Sequence, residues 1–145
     1  MIRRAIEADL PALRSMMAQS NGYARPEEKA MIQTFARDWW FNGDDQVWVL
    51  DDAAGLAGFY ALIHDDIGWE LDLFFMANDR QGRGLGRALF GDMVERARGL
   101  GAGEVRIRAN PSAAAFYARM GAQPSGVYPS SDKVSWPRPI YLVRP

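Results

Sequence analysis

Apolar residues recur along this chain with two different periods, and the switches between those periods mark its elements. Met1 to Ile6 is short and fits an edge strand. Leu10, Leu13, Met16 and Met17 recur at helical spacing behind Asp9, which offers an N-cap, and Pro11 suits a first turn. That helix runs to about Gln19 and ends at Asn21-Gly22. Pro26-Glu27-Glu28 opens a second helix carrying Met31, Ile32, Phe35, Trp39 and Trp40, which stops near Asn42-Gly43. Gln46 to Leu50 and Leu56 to Ile63 read as the two arms of a hairpin around the turn Asp51 to Gly55. After a turn at Asp65, Asp66 and Gly68, Trp69 to Met76 reads as a third strand, with Trp69, Leu71, Leu73 and Phe75 on one face and Glu70 and Asp72 on the other.

Beyond a polar stretch, Ala77 to Arg83, the period changes again. Leu85, Leu89, Met93, Ala97 and Leu100 form one stripe, so a helix is expected from about Gly84 to Leu100. Val105, Ile107 and Ala109 alternate with Arg106 and Arg108 and predict a strand. Asn110-Pro111-Ser112 starts a helix that continues to Met120 and stops at Gly121. Val127-Tyr128 and Ile140 to Val143 are the last strand candidates, separated by a loop over Pro129 to Pro139. The fold class is therefore α/β in the broad sense, more narrowly an α+β mixed sheet. Hairpin turns join its central strands, which excludes a doubly wound dinucleotide fold.

Composition narrows the picture. A chain of 145 residues suits a single domain, 1–145, and 48% hydrophobic residues suffice for a core. With no cysteine there is no disulfide framework, cysteine nucleophile or cysteine-ligated zinc, and the single histidine, His64, makes a metal site unexpected. The formal net charge of -1 comes from interspersed charges, so neither nucleic acid nor an anionic membrane is an expected partner. No apolar run would cross a membrane, and the N-terminus turns acidic where a signal peptide turns apolar. A cytoplasmic location is expected.

The segment Gln81-Gly82-Arg83-Gly84-Leu85-Gly86 carries the most chemistry. It follows a strand and opens a helix. Its glycines allow successive backbone N–H groups to converge, and the helix start adds free donors at the positive end of its dipole. Those features suit a diphosphate, with Arg80, Arg83 and Arg87 placed to add charge; a tight strand-to-helix turn is the plainer alternative. A Walker loop is excluded because Gly86 is followed by Arg87-Ala88 rather than Lys and a hydroxyl residue. The Rossmann fingerprint is excluded by both glycine spacing and position.

In this segment the chain resembles the GCN5-related N-acetyltransferase superfamily, whose signature is Q/R-x-x-G-x-G/A; Gln81, Gly84 and Gly86 fill it. A second block, Asn110 to Ala122, looks like the superfamily's N-x-x-A-x-x-F-Y-x-x-x-G-F/A segment. Asn78 departs from the pattern, since many members carry proline there. The resemblance covers about Gln46 to Tyr128. It implies a central twisted mixed sheet flanked by about four helices, acetyl-CoA as the bound donor, and transfer of acetyl to a primary amine by direct attack in a ternary complex. It further implies that Gln81, Gly82, Arg83, Gly84, Leu85, Gly86 and Arg87 hold the pyrophosphate. The pantetheine arm would meet backbone groups of Phe75 and Met76 and the side chain of Asn110, which is otherwise an N-cap.

The same resemblance assigns two proton carriers. Tyr117 is the expected general acid for the leaving thiolate, against the alternative that Phe116-Tyr117 only packs a helix onto the sheet. Glu70, eleven residues before Gln81, is the expected base. Asp72 is its rival, many members of the superfamily use only an ordered water, and pairing of either acid with Arg106 or Arg108 is the structural alternative. The acceptor, a small-molecule or peptide amine, leaves little trace; Trp39 and Trp40 could wall it, or simply pack their helix down. A homodimer is common in the superfamily. The competing functional class is a non-catalytic CoA-binding or regulatory module on the same fold.

Overall fold

The computed structural model describes residues 1–145. Its elements are β1 (Ile2–Arg4), α1 (Leu10–Ala18), α2 (Pro26–Asp38), β2 (Gln46–Asp52), β3 (Gly55–His64), β4 (Trp69–Met76), α3 (Leu85–Gly99), β5 (Val105–Arg108), α4 (Ala114–Arg119), β6 (Gln123–Tyr128) and β7 (Arg138–Val143), with three short 3-10 turns. The strands form one seven-stranded sheet in the order β1-β2-β3-β4-β5-β7-β6. Only β4 and β5 are parallel; every other pairing is antiparallel. No helix is long and apolar enough to cross a membrane.

Alternation along the strands feeds two cores, one on each face of the sheet. One face carries Tyr60, Leu62, Leu71, Val105 and Ile107 beneath Leu89, Phe90 and Met93 of α3 and Tyr117 of α4. The other carries Val47, Val49, Phe59, Ala61, Leu73 and Phe75 beneath Leu13 and Met17 of α1 and Ile32 and Ala36 of α2. Leu71 and Leu73 thus lie on opposite faces, contrary to the expected run of Trp69, Leu71, Leu73 and Phe75 on one. A β-bulge is the reason. Leu62 pairs with Leu71 and Ala61 with Leu73, which leaves Asp72 without a partner and inverts the side-chain parity after it.

Other boundaries shift for local reasons. α2 ends at Asp38, because Trp39 is extended at φ -70° and ψ 138°. Trp39 then packs on Phe41 and Phe59, while Trp40 is 62% exposed. β6 begins at Gln123, earlier than expected; it is an edge strand, where Pro124 and the irregularity before Val127 are tolerated. β7 begins at Arg138, inside the stretch expected to be loop.

The strands β4 and β5 hold each other only at their starts, through Trp69 with Val105 and Glu70 with Arg106. Beyond those pairs no ladder joins them. The sheet therefore splits toward the carboxyl ends of both strands, where ligands of open sheets with crossover helices characteristically sit.

Candidate functional site

The split between β4 and β5 is the mouth of a cleft of about 710 Å³. Its walls include Asp72, Phe74 and Met76 of β4, Ile107 and Arg108 of β5, Asn110, and Tyr117 of α4. Gln81, Gly82, Gly84, Gly86 and Arg87 close one end, and Ser20 to Tyr23, after α1, close the other side.

The glycine loop has the backbone its sequence requires. Gly82 at φ +83° and Gly84 at φ +75° are left-handed, and nothing lies within 4 Å of the place a Cβ would take at either. Gly84 caps α3 without any side-chain hydrogen bond. The first bond of the helix runs from the Ala88 N–H to the Gly84 carbonyl at 3.2 Å, so the N–H groups of Leu85, Gly86 and Arg87 lack helical acceptors. Gly86 serves close packing instead, since a Cβ there would come 3.2 Å from Phe116 Cε1. These donors and this open approach fit a diphosphate.

The arginines divide. Arg87 lines the cleft. Arg83 is exposed and its side chain does not line it, and Leu85 turns its side chain to the core. Arg80 does line the cleft, but it is held by Asp52 at 3.0 Å and Asp79 at 2.8 Å. Its charge is largely neutralised locally, and it braces the loop rather than adding to the attraction expected of it.

Backbone alternation decides which β4 groups face the cleft. The Ala77 N–H donates to the Ala57 carbonyl of β3 at 2.8 Å. By strand alternation Phe75 also turns its polar groups to β3, while Met76 and Phe74 turn theirs to the open side. This geometry suits the expectation for Met76; Phe75 also lines the cleft but turns its backbone groups to β3, while those of Phe74 face the open side. Counting by two from Met76 would have found Phe74.

Asn110 does not cap the turn that follows it. Its Nδ2 donates to the Gly22 carbonyl and to Ser112 Oγ, both at 2.7 Å, and Ser112 Oγ also donates to that carbonyl. This fixes the β5 exit to the α1–α2 connection. Asn110 Oδ1 remains buried without a partner, an acceptor suited to an amide N–H.

Tyr117 is buried, lines the cleft and sits among Phe74, Phe90, Phe116 and Tyr141. It packs its helix onto the sheet and also reaches the cleft, so the two readings of its motif do not compete. Burial pushes its phenol above the ordinary tyrosine range, with Tyr23 adding to the rise, so it remains a proton donor. Tyr23 stacks on Phe75 with ring centroids 6.0 Å apart and is itself pushed up to about 12 by burial and then by Glu28 and Asp72, against Arg138.

The two acids part company. Glu70 is 7% exposed, pairs with Arg106 at 2.8 Å and Arg108 at 3.3 Å, and does not line the cleft. Asp72, lifted out of the ladder by the bulge, does line it. One side of Asp72 meets solvent and the other is crowded by protein. That crowding, together with Glu70, pushes its carboxyl up to about 6, against the pull of Arg108. Trp39 and Trp40 lie outside the cleft walls.

Residues 17–132 match the family model described as acetyltransferase (GNAT) domain. A GCN5-related N-acetyltransferase structure from Rhodopseudomonas palustris is 17% identical, with a TM-score of 0.86 over 100% of this chain and 95% of that one. The ribosomal-protein-S18-alanine N-acetyltransferase of Escherichia coli is 20% identical, with a TM-score of 0.73 over 99% of this chain and 92% of that one. A GCN5-related N-acetyltransferase from Kribbella flavida is 22% identical, with a TM-score of 0.73 over 100% and 97%. At these identities the likeness establishes the fold. No curated protein matches the sequence.

Proposed function

The chain belongs to the GNAT acetyltransferase family, and on that footing we propose that it is an N-acetyltransferase which moves acetyl from acetyl-CoA to a primary amine in a ternary complex in the cytoplasm. The observation that carries this reading is the split between β4 and β5. It opens a cleft with free N–H donors at its α3 end, an unpartnered amide oxygen at Asn110 in its wall, and a protonated phenol at Tyr117 beside it.

Acetyl-CoA supplies the acetyl group as a thioester, activated for attack by a neutral amine. The α3 donors and Arg87 hold the diphosphate. Met76 and Asn110 Oδ1 pair with the amide arm in the manner of an added strand. The Phe74 N–H, on the same side as that of Met76, polarises the thioester carbonyl. Tyr117 donates its proton to the departing sulfur. Asp72, in place of the expected Glu70, takes the proton of the attacking amine through water, since it faces the cleft and its pKa of about 6 leaves it ionised yet basic near neutrality. Glu70 holds Arg106 and Arg108 in place.

Thiol release from acetyl-CoA, measured against an amine panel for wild type and Tyr117→Phe, tests the reading. Acceptor-dependent release that falls in the variant supports it. CoA binding without release on any amine would favour a non-catalytic module instead.

A further inference from the structure

Four buried side-chain polar atoms lack a hydrogen-bond partner: Asn110 Oδ1, Arg108 Nε, Trp136 Nε1 and Arg138 Nε. The first is an acceptor on the donor arm's path. The other three are donors, on β5, at the start of β7 or just before it; Arg108 Nε lies 3.3 Å from Glu70 Oε1 as an ion pair without hydrogen-bond geometry, whereas Arg138 Nε has no ion-pair partner. Buried donors without acceptors are rare in folded proteins and call for one.

The charges around them are unbalanced in the same sense. Arg106 contacts Glu70 and Asp65, and Arg108 contacts only Glu70, which it shares with Arg106. Arg138 takes part in no ion pair. β5 and β7 are antiparallel with Arg108 opposite Ile140, so Arg138, two residues from Ile140, points to the same face as Arg108 and is its diagonal neighbour. Both guanidinium groups lie over the Tyr128 ring, Arg108 at 4.0 Å and Arg138 at 5.1 Å from its centre. Burial and the neighbouring Arg108 charge both disfavour the charged form of Arg138. Tyr128, Glu70 and Tyr23 act in the opposite sense, and since a guanidinium does not shed its proton, an anion beside Arg138 is favoured.

The position is tied to the cleft. Arg108 lines it together with Asp72 and Tyr23. Arg138 does not itself line the cleft; it adjoins it through Arg108, its diagonal neighbour across the β5–β7 ladder, and through the Tyr128 ring that both guanidinium groups cover. An acceptor whose amine lies near Asp72 therefore extends toward Arg108, with the Arg138 guanidinium adjoining it over the same aromatic ring. Forked, planar donors of this kind recognise a carboxylate in two-point fashion.

We propose that Arg138 and Arg108 form a carboxylate subsite, and that the acceptor is a small amino acid whose amine and carboxylate are a few bonds apart. This rests on the transferase reading given above and specifies its acceptor. A peptide N-terminus would place an uncharged amide where the guanidinium groups sit, and a simple amine would place nothing there.

The test compares matched acceptors: free amino acids, their carboxamides, the corresponding decarboxylated amines and short peptides with the same N-terminal residue. Thiol release from acetyl-CoA and thermal shifts of the CoA-loaded protein are both read, for wild type and for Arg138→Gln and Arg138→Lys. The acids are expected to exceed their amides in kcat/KM by roughly 10- to 100-fold, the range that removing one charge-assisted hydrogen bond produces. Arg138→Gln should collapse that ratio toward one, mainly through KM, and Arg138→Lys should restore it in part. Amides, plain amines or peptides turned over as well as the acids would overturn the subsite and leave the transferase reading intact. No release with any acceptor, despite CoA binding, would sink the transferase reading. The subsite would then stand or fall on whether acids stabilise the loaded protein more than amides do. Should Arg138→Gln fail to fold, the wild-type preference decides alone.

Discussion

Tyr117 and Asp72 show how position alters an ordinary side chain. A phenol at the surface loses its proton at around pH 10; buried at the cleft wall, Tyr117 keeps it to higher pH. Tyr117→Phe retains the packing against Phe74 and Phe90 and removes only the hydroxyl. It is expected to lower kcat by about 100-fold, the lower end of general-acid effects because a thiolate leaves easily, with much less change in the KM for acetyl-CoA. Asp72 gives two pH signatures. In the proposed role of base it must be ionised, so kcat/KM for the acceptor should fall as pH drops through about 6, and Asp72→Asn should abolish that limb. Its carboxyl binds a proton more tightly in the folded state than the ordinary 3.8 allows, so its ionisation opposes folding above about 6 and has no effect below 3.8. Asp72→Asn should thus raise the melting temperature in alkaline buffer and leave it unchanged in acid, as thermal denaturation across pH will show. The motif alone made Tyr117 legible. Asp72 was legible only as a rival to Glu70, because a two-residue spacing implies a shared face and the bulge that separates them leaves no mark in the residue types.

At the scale of elements, the glycine loop and the strand before it form one device. Gly84→Glu would strain a backbone at φ +75° and set a carboxylate beside the proposed diphosphate site. CoA-induced thermal stabilisation should be lost in this variant while the melting temperature of the unliganded protein falls only modestly. A second glycine matters for a reason no motif reveals. A Cβ on Gly58 of β3 would meet Met76 Sδ at 2.6 Å and the Phe75 carbonyl at 2.8 Å. Gly58→Val therefore has to displace β4 where Met76 faces the cleft. It should cost about 1–3 kcal/mol of stability, as overpacking does, and raise the KM for acetyl-CoA, both measurable by denaturant titration and steady-state kinetics. The elements themselves were largely visible, because their apolar periods are long and regular. Their ends were not: Trp39 leaves the helix to reach Phe59, and β6 and β7 extend through Pro124 and Arg138 because neighbouring strands satisfy their backbones.

For the molecule as a whole, the decisive feature is a sheet that is almost cut in two. Two residue pairs join β4 to β5, and the Glu70 carboxylate pins the same place by pairing with Arg106 and Arg108. Glu70→Gln leaves two largely buried guanidinium groups short of a charge. Loss of about 3 kcal/mol is expected, the low end for a broken buried pair, since Arg108 keeps some access to solvent. The pH limb assigned to Asp72 should persist in that variant; its disappearance would return the role of base to Glu70.

The sequence alone determined what depends on local pattern. Period separated helices from strands, glycine spacing marked a loop able to present N–H donors, and two ordered blocks tied that loop to the tyrosine thirty-six residues after Gln81. Tertiary structure decided everything that depends on which backbone edge or side chain meets which neighbour. The bulge that sends Asp72 into the cleft, the turning of the backbone groups of Phe74 rather than those of Phe75 toward it, and the meeting of Arg108 with Arg138 over Tyr128 arise from strand register. Register is set by pairing between distant segments, and a single chain read residue by residue contains the partners without stating who pairs with whom.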